Sequence, residues 1–428
     1  MRFYADLHLH SHYSRATSKN LNLEYLALWA QLKGIQVVGT GDFTHPSWMK
    51  ELKEKLEPAE EGLFRLKDQY AKATERELPA ACKGEVRFLL TVEISNIYKR
   101  LDKVRKVHNL VFAPHFAAAE KTQKELGDIG NISSDGRPIL GLDSRDLLEI
   151  VLESDPMGFL IPAHIWTPWF SALGSKGGFD RMEDCFGDLT KHVFAVETGL
   201  SSDPLMNWRL SQLDPYVLVS FGDAHSPPKL AREATIFDTE LSYPAIYRAL
   251  SDRKDKGLIG TVEFFPEEGK YHYDGHRLCK TRLHPKETIK NNGLCPVCGK
   301  SVVVGVMARV EELADHPEGR KSPNWRPYQN LIPLPEIIAE AKGMGVNSGA
   351  VQMAFTEILN KLGNELFILQ EASIQDIKRA AGSLVAEAIQ RSREGKVNIE
   401  PGYDGEYGHI TIFSSEERES SEDQMVLF

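Results

Sequence analysis

Short apolar runs recur through the first half of the chain, and an ionisable residue closes almost every one. The first, Arg2-Phe3-Tyr4-Ala5-Asp6-Leu7-His8-Leu9-His10-Ser11, reads as a strand whose alternation places His8 and His10 on one side. Asn22 then caps a helix with Leu23, Leu26, Ala27 and Ala30 at helical spacing, and Gly34 ends it. Further runs follow at residues 35–40 before Asp42, 87–92 before Glu93, and 106–113, which holds His108 and precedes His115. The last three are residues 158–163 before His164, 193–196 before Glu197, and 217–222 before Asp223 and His225. Residues 48–78 and 143–153 read as helical.

Seven short strands, most of them separated by helical segments, predict a parallel sheet or a β/α barrel. In such barrels the active site is built at the C-terminal strand ends, where these residues fall. Mixed imidazole and carboxylate ligands suit zinc, manganese or iron, and carboxylate-rich subsites suit magnesium. Clustered metals that activate water and polarise a phosphoryl oxygen make a phosphate-ester hydrolase.

Composition narrows this little. The chain has 428 residues, room for two or three domains, with 42% hydrophobic and 26% charged residues. No apolar run is long enough for a membrane span, and no signal segment opens the chain, so a cytoplasmic protein is expected. The net charge of −10 argues against a nonspecific nucleic-acid coat but allows a local basic groove. Of five cysteines, Cys82 and Cys185 stand alone and three cluster, which speaks against a disulfide framework.

His8-Leu9-His10, Glu93, Val107-His108, Ala163-His164 and Asp223-Ala224-His225, in this order, resemble the PHP (polymerase and histidinol phosphatase) superfamily over roughly residues 1–250. The resemblance implies a distorted seven-stranded barrel with two or three metals, taken up as Mg²⁺, Mn²⁺ or Zn²⁺. His8, His10, Glu93 and Asp223 would hold one metal, and the bridging Glu93 with His108 and His164 a second. His225 would contribute to a third, and the catalytic set would be His8, His10, Glu93, Asp223 and His225. The usual Thr-Asp-His after the second strand reads Gly41-Asp42-Phe43 here, so Asp42 or His45 would have to complete the third site. Glu197 is a further candidate ligand, and His115 is read as structural.

Beside His164 lie Trp166, Trp169 and Phe170, a wall on which a base can stack or part of the core. Arg15, Lys19, Lys99, Arg100, Lys229 and Arg232 lie on loops at the metal end, as a phosphate-backbone track requires. Arg15, Trp166, Trp169, Lys229 and Arg232 are the substrate-binding candidates.

His276-Arg277-Leu278-Cys279 and Cys295-Pro296-Val297-Cys298 form two knuckles for a closed, structural Zn²⁺, with His272 or His284 as alternatives to His276. Residues 325–394 read as helices, including a stripe of Val351, Phe355, Ile358, Leu359 and Leu362. A short strand at 409–413 closes the domain. The acidic stretch 414–423 should be disordered. Gln424, Leu427 and Phe428 in the last five residues resemble the peptide by which bacterial repair and replication proteins dock to the β sliding clamp.

The expected fold class is thus α/β, with a PHP barrel (1–255), a zinc-binding module (256–322), a helical domain (323–413) and a tail (414–428). That order, with Ala5-Asp6-Leu7-His8-Leu9-His10-Ser11 and Ser14-Arg15-Ala16-Thr17-Ser18-Lys19, resembles the endonuclease Q family, as a bacterial member. The resemblance implies a nucleoid-associated DNA repair endonuclease that cuts 5′ to deaminated bases (hypoxanthine, uracil, xanthine) or abasic sites, with the lesion flipped into a pocket. A small-molecule phosphatase of the histidinol-phosphatase type and a non-enzymatic DNA-binding protein are the competing readings.

Overall fold

The computed structural model describes residues 1–414 and residue 417. The acidic tail beyond them, with Gln424, Leu427 and Phe428, lies outside the described residues. The chain divides into two compact units. Residues 1–78, 84–263 and 306–328 form the first; residues 79–83, 264–305 and 329–428 form the second.

The first unit is built on strands β1 (Arg2–Asp6), β2 (Val37–Gly39), β3 (Arg87–Arg100), β4 (Lys103–Ala113), β5 (Phe159–Pro162), β6 (Ala195–Glu197) and β7 (Val217–Val219). Two more, β8 (Ala234–Asp238) and β9 (Leu258–Glu263), extend the edge beyond β1. Alternation in β1 works as the sequence predicts. Phe3, Ala5 and Leu7 enter the core cluster with Val37, Leu89 and Ile161, so Asp6, His8 and His10 take the other side. The first helix (Leu23–Lys33) is capped by the Asn22 side chain and ended by Gly34 in the left-handed region at φ 92°.

The sheet departs from the expected barrel. β1, β2 and β3 run parallel, but β4 is antiparallel to both β3 and β5. The cause is a two-residue hairpin, Leu101-Asp102, with φ of 51° and 57°, which joins two long strands where a crossover helix was expected. His108 therefore reaches the site from the middle of a descending strand, opposite Ser95. β6 and β7 pair only with each other. They meet β5 and β1 only past the strand ends: Ile165 N–H donates to Glu197 O, and an isolated bridge joins Leu9 and Ala224 through Ala224 N–H to His8 O and His10 N–H to Ala224 O. No closed barrel of ladders forms among the described residues; the sheet is mixed and open at these two seams.

The helix Val306–Leu313 clusters with the first unit. Arg309 fixes it there by donating to the carbonyls of Leu173 and Phe179 and to Asp180. In the second unit, the predicted helical region forms helices including Leu334–Lys342, Gly349–Leu362, Ile374–Ala381 and Ser383–Arg393. The predicted closing strand is His409–Thr411, paired with Asn398–Glu400. No helix among the described residues is long and apolar enough to cross a membrane.

Glu263, at the end of β9, is buried with bonds from Thr261, Thr198 and Ser220. Burial pushes its carboxyl up to about 8, against those bonds, and the nearby Asp203 adds to the rise. Between the ordinary carboxyl range and that value, the folded chain keeps a proton that the unfolded chain releases. Stability therefore falls as pH rises through this window. Thermal melts of Glu263→Gln should show a flatter decline from pH 5 to 8 than the native protein (roughly the window set by the two values); parallel curves would refute the assignment.

Candidate metal centre

The β1 end delivers His8 and His10, the β3 strand delivers Glu93, and the turn after β7 delivers Asp223. One ligand atom from each of these four lies within 4.8 Å of all the others. The Nε2 atom of His10 is 3.1 Å from Asp223 Oδ1 and 3.4 Å from Glu93 Oε2. His8 Nε2 is 3.6 Å from Glu93 Oε2 and 3.5 Å from Asp223 Oδ1. The other oxygen of Glu93 faces a second set, with His108 Nδ1 at 2.5 Å and His164 Nε2 at 3.2 Å. Glu93 thus belongs to both groups.

The donor set fits divalent cations. His8 Nε2 is fully buried and has no hydrogen-bond partner, although it points at two carboxylates. An imidazole nitrogen left in that state is costly unless an ion takes its lone pair. Burial alone would lower the His8 pKa, but Glu197, Asp223 and Glu93 outweigh it and raise it well above the ordinary value. Burial raises Glu93, yet His108 and His8 outweigh it and hold the carboxyl well below its usual range. A buried field this negative attracts positive charge of any kind, protons or metal ions.

Two predicted ligands stand behind the imidazoles instead of among the metal groups. Glu197 Oε1 lies 2.9 Å from His8 Nδ1, and its Oε2 accepts the backbone N–H of His164. Asp42 Oδ1 lies 3.4 Å from His10 Nδ1, while Oδ2 accepts from Ser11 N, Ser11 Oγ and Ser14 Oγ. Each carboxylate sets the tautomer of a histidine that offers its other nitrogen forward, the usual support for a metal-bound imidazole. Glu197→Gln should therefore weaken divalent-metal affinity by about 10- to 100-fold without unfolding the protein. Competition with a fluorescent chelator measures this, and unchanged affinity would deny Glu197 that role.

His225 stands at the mouth, its ring centroid 4.7 Å from that of His10 and its side chain partly exposed. His45 is spent elsewhere: it caps the helix Pro46–Lys55 and contacts Ser133 O. His115 caps the helix Phe116–Ile129 and pairs with Asp155, which matches its structural reading. Asp42, His164 and Asp223 all have positive φ (51°, 29° and 43°), strain that the surrounding bonds hold in place.

The aromatic residues separate. Trp166 is fully buried and donates Nε1–H to Asn207, so it belongs to the core and is not a stacking surface. Trp169 is 52% exposed, with Lys106 Nζ 5.0 Å from its ring, and Phe170 packs 4.7 Å from the His108 ring. Of the basic candidates, Arg15 is exposed beside Asp135. Lys229 lies in a short 3₁₀ turn, and Arg232 donates to Gly222 O.

Sequence reasoning missed Asp6 and Arg137. Asp6 accepts from the N–H groups of Gly222 and Ala231 and so pins both sides of the loop that carries Asp223. Arg137 Nη1 donates to Glu93 Oε2 at 3.1 Å. Its segment, Ser134-Asp135-Gly136-Arg137-Pro138, carries only the signal of a turn.

In the second unit His276, Cys279, Cys295 and Cys298 come together with ligand atoms within 4.8 Å. His272 is buried and stacked on Tyr273, and the His284 side chain caps the helix Pro285–Lys290. Neither alternative joins the group.

A family profile described as the MJ0043 C-terminal domain matches residues 333–396. The protein MJ0043 of Methanocaldococcus jannaschii is 36% identical over 259 residues, 58% of this chain. That match takes in 31% of MJ0043, so the chain spans about a third of that relative's length. Among solved structures, the lesion-specific endonuclease PfuEndoQ from Pyrococcus furiosus superposes with a TM-score of 0.83 at 31% identity, covering 98% of this chain and 99% of that one. A second, endonuclease Q in complex with a 27-mer duplex bearing an abasic lesion at the active site, gives 0.81 at 32% identity, covering 98% of each chain.

Proposed function

The chain belongs to the endonuclease Q family, and on that premise we propose that it nicks DNA on the 5′ side of deaminated bases (hypoxanthine, uracil, xanthine) and abasic sites. It is a metal-dependent endodeoxyribonuclease. The observation that carries the reading is the buried pair of ligand groups sharing Glu93, set in a fold like that of a lesion-specific endonuclease along nearly the whole chain.

His8, His10, Glu93 and Asp223 would hold one cation and Glu93, His108 and His164 another; His225 is proposed for a third. Bound Mg²⁺, Mn²⁺ or Zn²⁺ supplies Lewis acidity toward phosphoryl oxygens and activation of water. The protein's own share is orientation. Glu197 and Asp42 fix the two imidazoles of β1, and Asp6 fixes the loop of Asp223. His225, partly exposed beside Asp223, lies where a third cation would meet an attacking water or a leaving oxygen.

Trp169 with Lys106 presents an exposed π-face and a cation beside His108, suited to a base and its phosphate. Trp169→Ala should lower affinity for lesion-bearing DNA by about 1–3 kcal/mol and leave metal content unchanged. Fluorescence anisotropy tests this, and equal affinities would remove Trp169 from the interface. Arg15, Lys229 and Arg232 are proposed to line the backbone track. A catalytic region (1–255), a zinc module reduced from 256–322 to the part in the second unit, 264–305, and a helical domain (323–413) are part of the same proposal. So are a cytoplasmic, nucleoid-associated location and docking of Gln424, Leu427 and Phe428 to the β sliding clamp.

The deciding experiment is a nicking assay on labelled duplexes with one deoxyinosine, deoxyuridine or abasic site, beside an undamaged control, with Mg²⁺ or Mn²⁺ and then with chelator. A single metal-dependent cut 5′ to the lesion supports the proposal. Turnover of a small phosphomonoester, with every duplex intact, would overturn it.

A further inference from the structure

We propose that Arg137 binds the scissile phosphate directly, with Asp135 and Gly136 as the device that holds it over the metal centre; this rests on the endonuclease reading above. Arg137 lies 44 residues from Glu93 in sequence, yet its guanidinium is hydrogen-bonded to that bridging carboxylate. Only Nη1 is spent on Glu93. Among the described residues its remaining guanidinium N–H groups have no protein acceptor, and the side chain is 28% exposed. A guanidinium has five donors in a rigid fork that matches two oxygens of one phosphate. With one tine on Glu93 and the side chain 28% exposed, the other donors remain for a phosphodiester that meets the same ligands.

The loop is built to keep it there. Asp135 Oδ1 accepts from the backbone N–H groups of both Arg137 and Arg15, and its Oδ2 lies 3.4 Å from Arg15 Nε. Gly136 N–H donates to Tyr13 O. A Cβ on Gly136 would overlap the Asp42 carboxylate and the Ser14 hydroxyl. Asp42 cannot yield, because three donors and His10 hold it. The loop after β1 and the loop of Arg137 are thus one assembly that bears two arginines.

A purely structural ion pair with Glu93 is the competing account. The two differ in whether Arg137 and the phosphate charge are coupled, and binding shows this apart from cleavage. The probe is a lesion duplex with either the natural phosphate or a neutral methylphosphonate 5′ to the lesion, measured with Ca²⁺ in place of Mg²⁺. Native protein should lose on the order of 10- to 100-fold in affinity on methylphosphonate substitution. Arg137→Met should lose about as much on the natural duplex and little more on the neutral one, with unchanged metal content and melting temperature. Arg137→Lys should recover only part, since it restores the charge without the fork. Additive penalties would overturn the proposal, as would loss of metal from Arg137→Met, which would make Arg137 a prop for Glu93. Failure of the family reading appears separately, as native protein that nicks no lesion duplex.

Discussion

Glu93→Gln is expected to nick lesion-bearing duplex at least about 10³-fold more slowly than the native protein, a loss at the upper end of what one electrostatic group removed from an active site causes. The size follows from position. Glu93 is the one residue common to both ligand groups, with Oε2 toward His8 and His10 and Oε1 toward His108 and His164. An amide keeps the shape but replaces one oxygen by a donor, which points an N–H at imidazole nitrogens that must offer lone pairs. It also removes the charge that offsets two buried cations, so both should be lost and not one. Metal analysis by mass spectrometry should show both positions that share Glu93 depleted in Glu93→Gln, whereas His164→Ala should deplete chiefly one. Nicking at native rates by Glu93→Gln with full metal content would remove the bridging role and the mechanism with it.

That centre was legible in the sequence because its signals are local. Alternation carried past the end of the strand Arg2–Asp6 puts His8 and His10 on one face, and in the sequence Glu93, His164 and Asp223 directly follow apolar runs. What the sequence hid depends on contacts across the chain. Trp166 and Trp169 are the same residue type three positions apart. One is core because Asn207 waits for its indole N–H, and the other is exposed. Asp42 and Glu197 look like ligands by composition, and only their second contacts, with Ser11 and Ser14 or with the amide of His164, show them facing backward. The antiparallel β4 is concealed because Leu101-Asp102 lacks the Asn-Gly or Asp-Gly that usually marks a hairpin with two positive φ values. Arg137 gave no signal because its position is set by Asp135, Tyr13 and Asp42 together.

The second large effect concerns the proposed zinc in the second unit. Residues 264–305 hold one small core cluster, Leu283, Cys295 and Val302, with Cys279 packed against it. Leu278, Ile289 and Val297 are largely exposed, at 83%, 68% and 70%. So little burial cannot order a segment of this length, and the ligand set must supply what the core lacks. One thiol, Cys295, is prepared for it. Burial raises Cys295, but bonds from Thr281 and from the backbone N–H groups of Cys298 and Val297 outweigh burial and bring it below its ordinary value. A thiolate is what Zn²⁺ binds. Closed Cys₃His sites contribute about 10–16 kcal/mol of apparent binding energy, more than a segment of this kind has to spare. Cys295→Ser, or a strong zinc chelator, should therefore unfold the module locally. Limited proteolysis should then cut between His276 and Gly305, with release of about one zinc per chain. His272→Ala and His284→Ala should keep that zinc, since one ring is stacked on Tyr273 and the other caps a helix. A module that resists protease in Cys295→Ser with its zinc retained would mean that the four residues meet for packing alone, and the stability of the segment would have to come from its contacts with the rest of its own unit.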